Sequence, residues 1–371
     1  MYTEKELVKI AKRENNNKRN YLVVNRLQAK HIPAMPDETF KLFDKLAEIL
    51  IKQYKDEKIL AVGFAETATA IGARVAVKMN CMYIQTTRED IKGAEYLYFT
   101  ESHSHAQEQK LIKTDIDKAV IDIDRIIFVE DEVTTGNTIM KIANIIKNTY
   151  RIYNKKIKFA AASLINGMDE RALSIYKENG IDISYIIKTD NSKYTEIAEG
   201  FKNNGNYVTD FSHTLLPEIK SLIAHGYINT RRLVQGADYG LACEKLWKQV
   251  SASGRFSAGE SVLVLGTEEF MYPAIYIAYR LKSTGCSAKS HSSTRSPVIT
   301  SSEKNYPLHC RYELRSVYDD NRRTFIYDIG CYDKVVIITD SINASDVGIN
   351  DLCRAVYMNN NSDITVVRWC I

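Results

Sequence analysis

Glu130 and Asp131 stand side by side at the end of the apolar run Ile126-Ile127-Phe128-Val129, and Thr134-Thr135-Gly136-Asn137-Thr138 follows three residues later. Adjacent carboxylates suit the two hydroxyls of a ribose or a nearby metal. The second group suits phosphate: at a helix start the backbone N–H groups are free to donate, threonine hydroxyls add to them, and a glycine lets the backbone come close. Together they fit a sugar carrying a 5′-phosphate. Glu132 adds a third negative charge beside that anion. The plainer alternative is a strand-loop-helix crossover with solvated acids, since acids at helix starts are ordinary.

The elements that must position these groups are legible as alternating strands and helices. Ile126 to Val129 reads as a strand covered on both faces, with the helical pattern Ile139, Ile142, Ile145, Ile146 after it. Upstream lie a strand at Tyr21 to Val24 and a helix starting at Pro36-Asp37. A strand at Ile59 to Val62 enters Gly63-Phe64-Ala65-Glu66-Thr67, and a helix from about Ala68 to Lys78 leads to a strand at Cys81 to Gln85. Downstream are a strand at Phe159 to Ile165, a helix near Asp169 to Glu178 and a strand at Ile183 to Ile187. Such alternation predicts an α/β fold with a largely parallel sheet, and ligands then sit at the carboxyl ends of its strands. From about Asp190 to Gly259 the alternation fails, and the domain boundary is placed near residue 205, giving domains 1–205 and 206–371.

Bulk properties bound the function without choosing it. The chain has 371 residues, enough for two cores, and a net charge of +4, too small to suggest nucleic acid. Its seven cysteines are odd in number and lack C-x-x-C spacing, which reads as reduced thiols with neither a disulfide framework nor a zinc site. No apolar run approaches a membrane span and no signal peptide is recognisable, so the expectation is a cytoplasmic protein without a membrane or nucleic-acid partner.

The second half reads as a diverged copy of the first, the alternative being a chance likeness between two α/β units, since strand-glycine-helix connections are common. Gly266-Thr267-Glu268-Glu269 parallels Gly63-Phe64-Ala65-Glu66, and Thr294-Arg295 parallels Thr87-Arg88. Val335 to Asp340 takes the place of the acid-bearing strand, but Ser341-Ile342-Asn343-Ala344-Ser345-Asp346 has neither the acid pair nor the phosphate turn. Tyr312, Tyr318 and Tyr327 read as core or rim aromatics.

The segment from Ile126 to Thr138 resembles the PRPP-binding signature of type I phosphoribosyltransferases. With Thr294-Arg295-Ser296-Pro297, Asn25 to His31, Gly63 to Gly72 and Leu265 to Phe270, the chain looks like the bacterial two-domain proteins that join an orotate-type phosphoribosyltransferase to a TRSP domain. These occur in stress-response gene clusters of the tellurite-resistance type. The resemblance implies a type I phosphoribosyltransferase-like parallel sheet with flanking helices, followed by a second, diverged α/β domain of similar topology. It implies Mg2+-dependent transfer of ribose 5-phosphate from PRPP to an unidentified nitrogenous acceptor, with a homodimer as a candidate assembly. Glu130 and Asp131 would serve catalysis and the metal, directly or through water. Thr134, Thr135, Gly136, Asn137 and Thr138 would hold the 5′-phosphate, and Ala65, Glu66, Thr67 and Arg88 the pyrophosphate. A lid over the reacting centre is expected between Thr100 and Lys110, where His103, His105 and Lys110 would donate to the diphosphate or move the acceptor's proton. A polar surface loop with two solvated histidines explains that segment equally well. Lys30 and His31, and in the second half Glu268, Glu269, Thr294 and Arg295, are candidates for an acceptor or second site. A PRPP-binding regulator without turnover and a PRPP synthetase-like diphosphokinase are the competing readings.

Overall fold

The computed structural model describes residues 2–16, 19–99, 109–151, 157–211 and 213–371. The chain divides into two compact units that do not follow a single cut. One comprises Lys41–Asp190 with Ile228–Leu241, and the other Met1–Phe40 with Asn191–Tyr227 and Ala242–Ile371. A single boundary near residue 205 therefore differs from the observed division at residues 1–40, 191–205 and 228–241.

The first of these units is built on a six-stranded sheet. From edge to edge it runs Val234–Gln235, Met82–Gln85, Ile59–Gly63, Arg125–Val133, Lys158–Asn166 and Ile181–Lys188. All neighbours are parallel except Val234–Gln235, which lies antiparallel on Met82–Gln85. Its central strands are continuous apolar runs because helices cover both faces of a parallel sheet, and Leu60, Val62, Ile126, Ile127, Phe128 and Val129 are all fully buried. The helix Thr69–Met79 packs tightly on this sheet. A Cβ on Gly72 would lie 2.7 Å from the Gly63 Cα, so both glycines are needed for that approach.

The other unit has a five-stranded parallel sheet in the order Ile219–Ala224, Ile364–Trp369, Lys334–Thr339, Ser261–Gly266, Ser287–Ser292. Its last four strands repeat the arrangement of Lys158–Asn166, Arg125–Val133, Ile59–Gly63 and Met82–Gln85. Registers agree too: Gly63 lies opposite Gln85 as Gly266 lies opposite Ser292, and Thr87 and Thr294 each make an antiparallel bridge, to Lys110 and Phe325. The expected second α/β copy of similar topology is present.

Two features escaped the sequence reading. Ile219–Ala224 and an 18-residue helix, Gly236–Ser253, occupy the stretch read as irregular. The helix buries Tyr239, Ala242, Cys243, Leu246, Trp247 and Val250, a clear helical period, but Gly236, Gly240 and the closing serines read as breakers. The N-terminal hairpin, Lys9–Lys12 against Tyr21–Val24, belongs to the C-terminal half's unit because its apolar face shares a core with Val298, Ile299, Tyr306, Leu308 and Phe325. All seven cysteines are free, and no helix among the described residues is long and apolar enough to cross a membrane.

A fragment of residues 1–205 lacks the edge strand Val234–Gln235 and leaves the N-terminal hairpin without its apolar partners. It should lose cooperative thermal unfolding followed by near-UV circular dichroism. A fragment that melts as sharply as the whole chain would show that the exchange of segments is dispensable.

Candidate active site

The acids lie at the carboxyl end of Arg125–Val133, still within the sheet ladder: Glu130 is opposite Ser163 and Glu132 opposite Ile165. Consecutive strand residues face opposite sides, so the neighbouring acids meet different surroundings. Asp131 accepts a hydrogen bond from the Thr67 hydroxyl at 2.9 Å. That bond joins the acid strand to the loop expected to hold pyrophosphate. Burial of the Glu130 carboxyl, followed by the charge of Asp131 beside it, pushes Glu130 well above the usual carboxylate range.

The turn after the acids leads directly into a helix. Gly136, at φ +71°, caps the 13-residue helix Asn137–Thr149, and Thr135 and Asn137 are exposed at its start. Tyr176, from the helix Glu170–Glu178, underlies the turn and donates its hydroxyl to the Gly136 carbonyl at 2.6 Å. A Cβ on Gly136 would fall 2.3 Å from that hydroxyl, so shape and backbone conformation both demand glycine. Sequence reasoning missed Tyr176, whose only signal was a place on a helix some forty residues downstream.

The loop after Ile59–Gly63 runs through a cis Ala65–Glu66 peptide to Thr67 and the helix Thr69–Met79. Both backbone groups of Ala65 are engaged. Its N–H donates to the Thr86 hydroxyl at 2.8 Å, and its carbonyl accepts from Gln109 Nε2 at 2.8 Å. Thr86 in turn donates to Gln109 Oε1 at 3.1 Å, closing a small ring of hydrogen bonds. Gln109 and Thr86 were not singled out in sequence. Arg88 follows Thr87 at the partly exposed carboxyl side of the same sheet. Lys110 is buried, pairs with Asp90 and lies 4.6 Å over the Tyr96 ring. His103 and His105 lie outside the described residues. A cleft of about 730 Å³, lined by Arg125, Lys158 and Asp182 among others, opens at the opposite, amino ends of these strands, where an open sheet does not bind ligands.

The remaining candidates fall in the other unit. The Lys30 ammonium donates to the carbonyls of Glu268 at 2.5 Å and Ser293 at 2.8 Å, and His31 is buried 6.4 Å from the Tyr327 ring. Glu268, fully buried, holds Arg295 at 2.5 Å and Arg322 at 3.3 Å and accepts from the Ser316 hydroxyl. Asp340 accepts from the hydroxyls of Tyr318 at 2.6 Å and Tyr227 at 2.7 Å. Glu269 and Thr294 are buried beside them. The structure thus brings Lys30, Glu268 and Arg295 together, in a unit different from that of Glu130 and Asp131, with their polar atoms engaged by one another.

The acid pair, the glycine-capped turn and the loop through Ala65 thus lie at the carboxyl edge of one largely parallel α/β sheet. Comparison with known proteins gives the particular family. The family described as phosphoribosyl transferase matches residues 7–190, and the family described as the TRSP domain C-terminal to it matches residues 235–354. The chain belongs to this phosphoribosyltransferase family with a TRSP domain. Among solved structures, adenine phosphoribosyltransferase from Thermoanaerobacter pseudethanolicus is 18% identical over 50% of this chain and 97% of its own, with a TM-score of 0.36. Orotate phosphoribosyltransferase from Aeropyrum pernix is 14% identical over 53% and 95%, with a TM-score of 0.32. The Trypanosoma brucei adenine enzyme, in complex with AMP, pyrophosphate and ribose 5-phosphate, is 11% identical over 49% and 76%, with a TM-score of 0.35. No curated protein sequence matches the chain.

Two substitutions test these environments. Because the folded state raises the Glu130 pKa, ionising it costs stability as pH rises above its unfolded value of about 4.3. Glu130→Gln should therefore raise Tm near neutral pH, with the gain vanishing below about pH 4, where the wild-type carboxyl is protonated in both states. Equal melting profiles across pH would refute the environment assigned to Glu130. Glu268→Ala removes the buried carboxylate that faces Arg295 and Arg322 and should cost about 3–5 kcal/mol in urea unfolding. A cost under about 1 kcal/mol would mean that the arginines find other partners.

Proposed function

We propose that this phosphoribosyltransferase moves ribose 5-phosphate from PRPP to a nitrogenous acceptor and releases pyrophosphate, with Mg2+ bound alongside the substrate. The observation that carries this reading is the Thr67–Asp131 hydrogen bond, which couples the diphosphate loop to the acids that would take the ribose hydroxyls. The 5′-phosphate would lie on the amides at the start of Asn137–Thr149, with Thr134, Thr135 and Thr138 beside it. Fixing the sugar at both ends holds C1 in line between the leaving diphosphate and the arriving nitrogen.

Displacement at C1 develops oxocarbenium character on the ribose and negative charge on the departing diphosphate. Arg88 would stabilise the second, and the Asp131 carboxylate would face the first. No group of three or more metal-ligating side chains occurs among the described residues. A pair of acids is the donor set expected for Mg2+, which keeps several waters and takes its other ligands from substrate phosphates. Glu130 and Asp131 would hold it directly or through water, and when bound it supplies charge to the leaving diphosphate. The proposed setting is the cytoplasm, in the biosynthesis of a nucleotide-like metabolite or a stress response of the tellurite-resistance type.

Incubation with PRPP, Mg2+ and a panel of nucleobases and amines should release pyrophosphate with at least one acceptor. Asp131→Asn should lower turnover at least about tenfold, equivalent to roughly 1.4 kcal/mol of transition-state stabilisation, with an unchanged circular dichroism spectrum. Unaltered kinetics in that variant would sink the site. PRPP binding with no turnover across the panel would instead favour a PRPP-binding regulator.

A further inference from the structure

Residues 228–234, the last part of the stretch between the two family matches, belong to the phosphoribosyltransferase unit, and their contacts lead to the loop read as its diphosphate site. Residues 228–241 belong to that unit although they follow its last sheet strand, Ile181–Lys188, by forty residues of chain. Asn229 folds them into a turn: its side-chain oxygen accepts from the Arg231 N–H and its carbonyl from the Arg232 N–H, both at 3.0 Å. From this turn two routes run inward.

The first begins at Thr230. Its carbonyl accepts from the Gln85 N–H at 2.8 Å, and its hydroxyl donates to Gln85 Oε1 at 2.7 Å. Gln85 ends its strand opposite Gly63, and the next residue, Thr86, is the one that receives the Ala65 N–H. Gln85 is buried, and its Nε2 has no hydrogen-bond partner among the described residues. A buried donor left over at this edge is the kind of group that a bound anion satisfies.

The second begins at Arg232. Its guanidinium grips Asp115 through two parallel bonds, of 2.5 and 2.9 Å, and the Leu233 N–H adds a third at 3.1 Å. Asp115 is buried in the first turn of Lys113–Asp122, and that helix directly continues the strand Lys110–Ile112. The residue before this strand is Gln109, which holds the Ala65 carbonyl. A planar, bidentate arginine fixes orientation as well as distance, which a lysine cannot reproduce.

Both routes converge on Ala65, one on its N–H and the other on its carbonyl. We infer that Thr230 and Arg232 are positioning residues for the diphosphate loop, so that the segment joining the two domains is a working part of the transferase site. This rests on the reading of that loop as the diphosphate site. Neither residue lies within either family match, so neither had been assigned a role.

The test uses the full-length chain and two measurements. Calorimetric titration with PRPP and Mg2+ should show binding weakened at least about tenfold in Thr230→Val and in Arg232→Ala, with Arg232→Lys intermediate. In the same proteins without ligand, amide hydrogen exchange at residues 64–68 should speed up at least about tenfold, at a temperature well below melting. Variants that melt earlier yet keep wild-type PRPP affinity and wild-type exchange at residues 64–68 would reduce the segment to a structural edge and overturn the inference. If the wild type binds no PRPP, the functional reading fails while exchange at the loop still decides whether these residues position it.

Discussion

The parallel pairing of Ile59–Gly63 with Arg125–Val133 is the constraint on which the site depends. Gly63 lies opposite Val129, and the Phe64 N–H donates to the Val129 carbonyl at 3.0 Å. The loop through Ala65, proposed to hold the diphosphate, therefore leaves the sheet at the level where the acids begin. A shift of one residue would turn each strand's side chains to the other face and separate Thr67 from Asp131. The strand register is thus as much a condition of the Thr67–Asp131 hydrogen bond as the two residues that make it. Gly63 and Gly72 serve the same end by letting the helix after the loop sit directly on the strand.

The two halves show how one sheet arrangement yields opposite outcomes at its carboxyl edge. In one, the glycine-capped turn leaves Thr135 and Asn137 exposed at a helix start, and desolvation with the charge of Asp131 pushes the Glu130 carboxyl well above its usual range. In the other, Glu268 is satisfied by Arg295, Arg322 and Ser316, and the acid that aligns with Asp131, Asp340, is satisfied by two tyrosine hydroxyls. His291, which burial pulls down to about 4, is neutral there and donates Nε2–H to the Tyr327 carbonyl. A network of this kind fixes a fold and offers little to a substrate.

Much of this was legible from residue order, and the rest was not, for physical reasons. Val62, Ile127 and Val264 sit in runs whose burial on both faces leaves no polar alternation, so the parallel strands were plain. Glu130, Asp131 and the turn at Gly136 are contiguous in sequence, so they could be read together as one candidate site. Thr86, Gln109 and Tyr176 come from separate segments, and each matters through one hydrogen bond that no periodicity announces. The helix Gly236–Ser253 was hidden because Gly240 is needed for its approach to Val77, 3.2 Å from where a Cβ would stand, and a glycine mid-helix reads as a stop. The assignment of residues 1–40 rests on long-range apolar contacts, which local patterns do not encode.

The exchanged segments have a consequence for the chain as it is made. The hairpin Lys9–Lys12 with Tyr21–Val24 is made well before its apolar partners, which lie at Val298 to Phe325. At roughly 5–20 residues per second, synthesis of the intervening chain takes on the order of tens of seconds, and over that interval the hairpin's apolar face is uncovered. The sheet carrying Glu130 likewise lacks its edge strand until Gln235 has emerged. Neither unit can finish before much of the other has been translated, so strand edges and apolar surface stay uncovered in the growing chain over that interval.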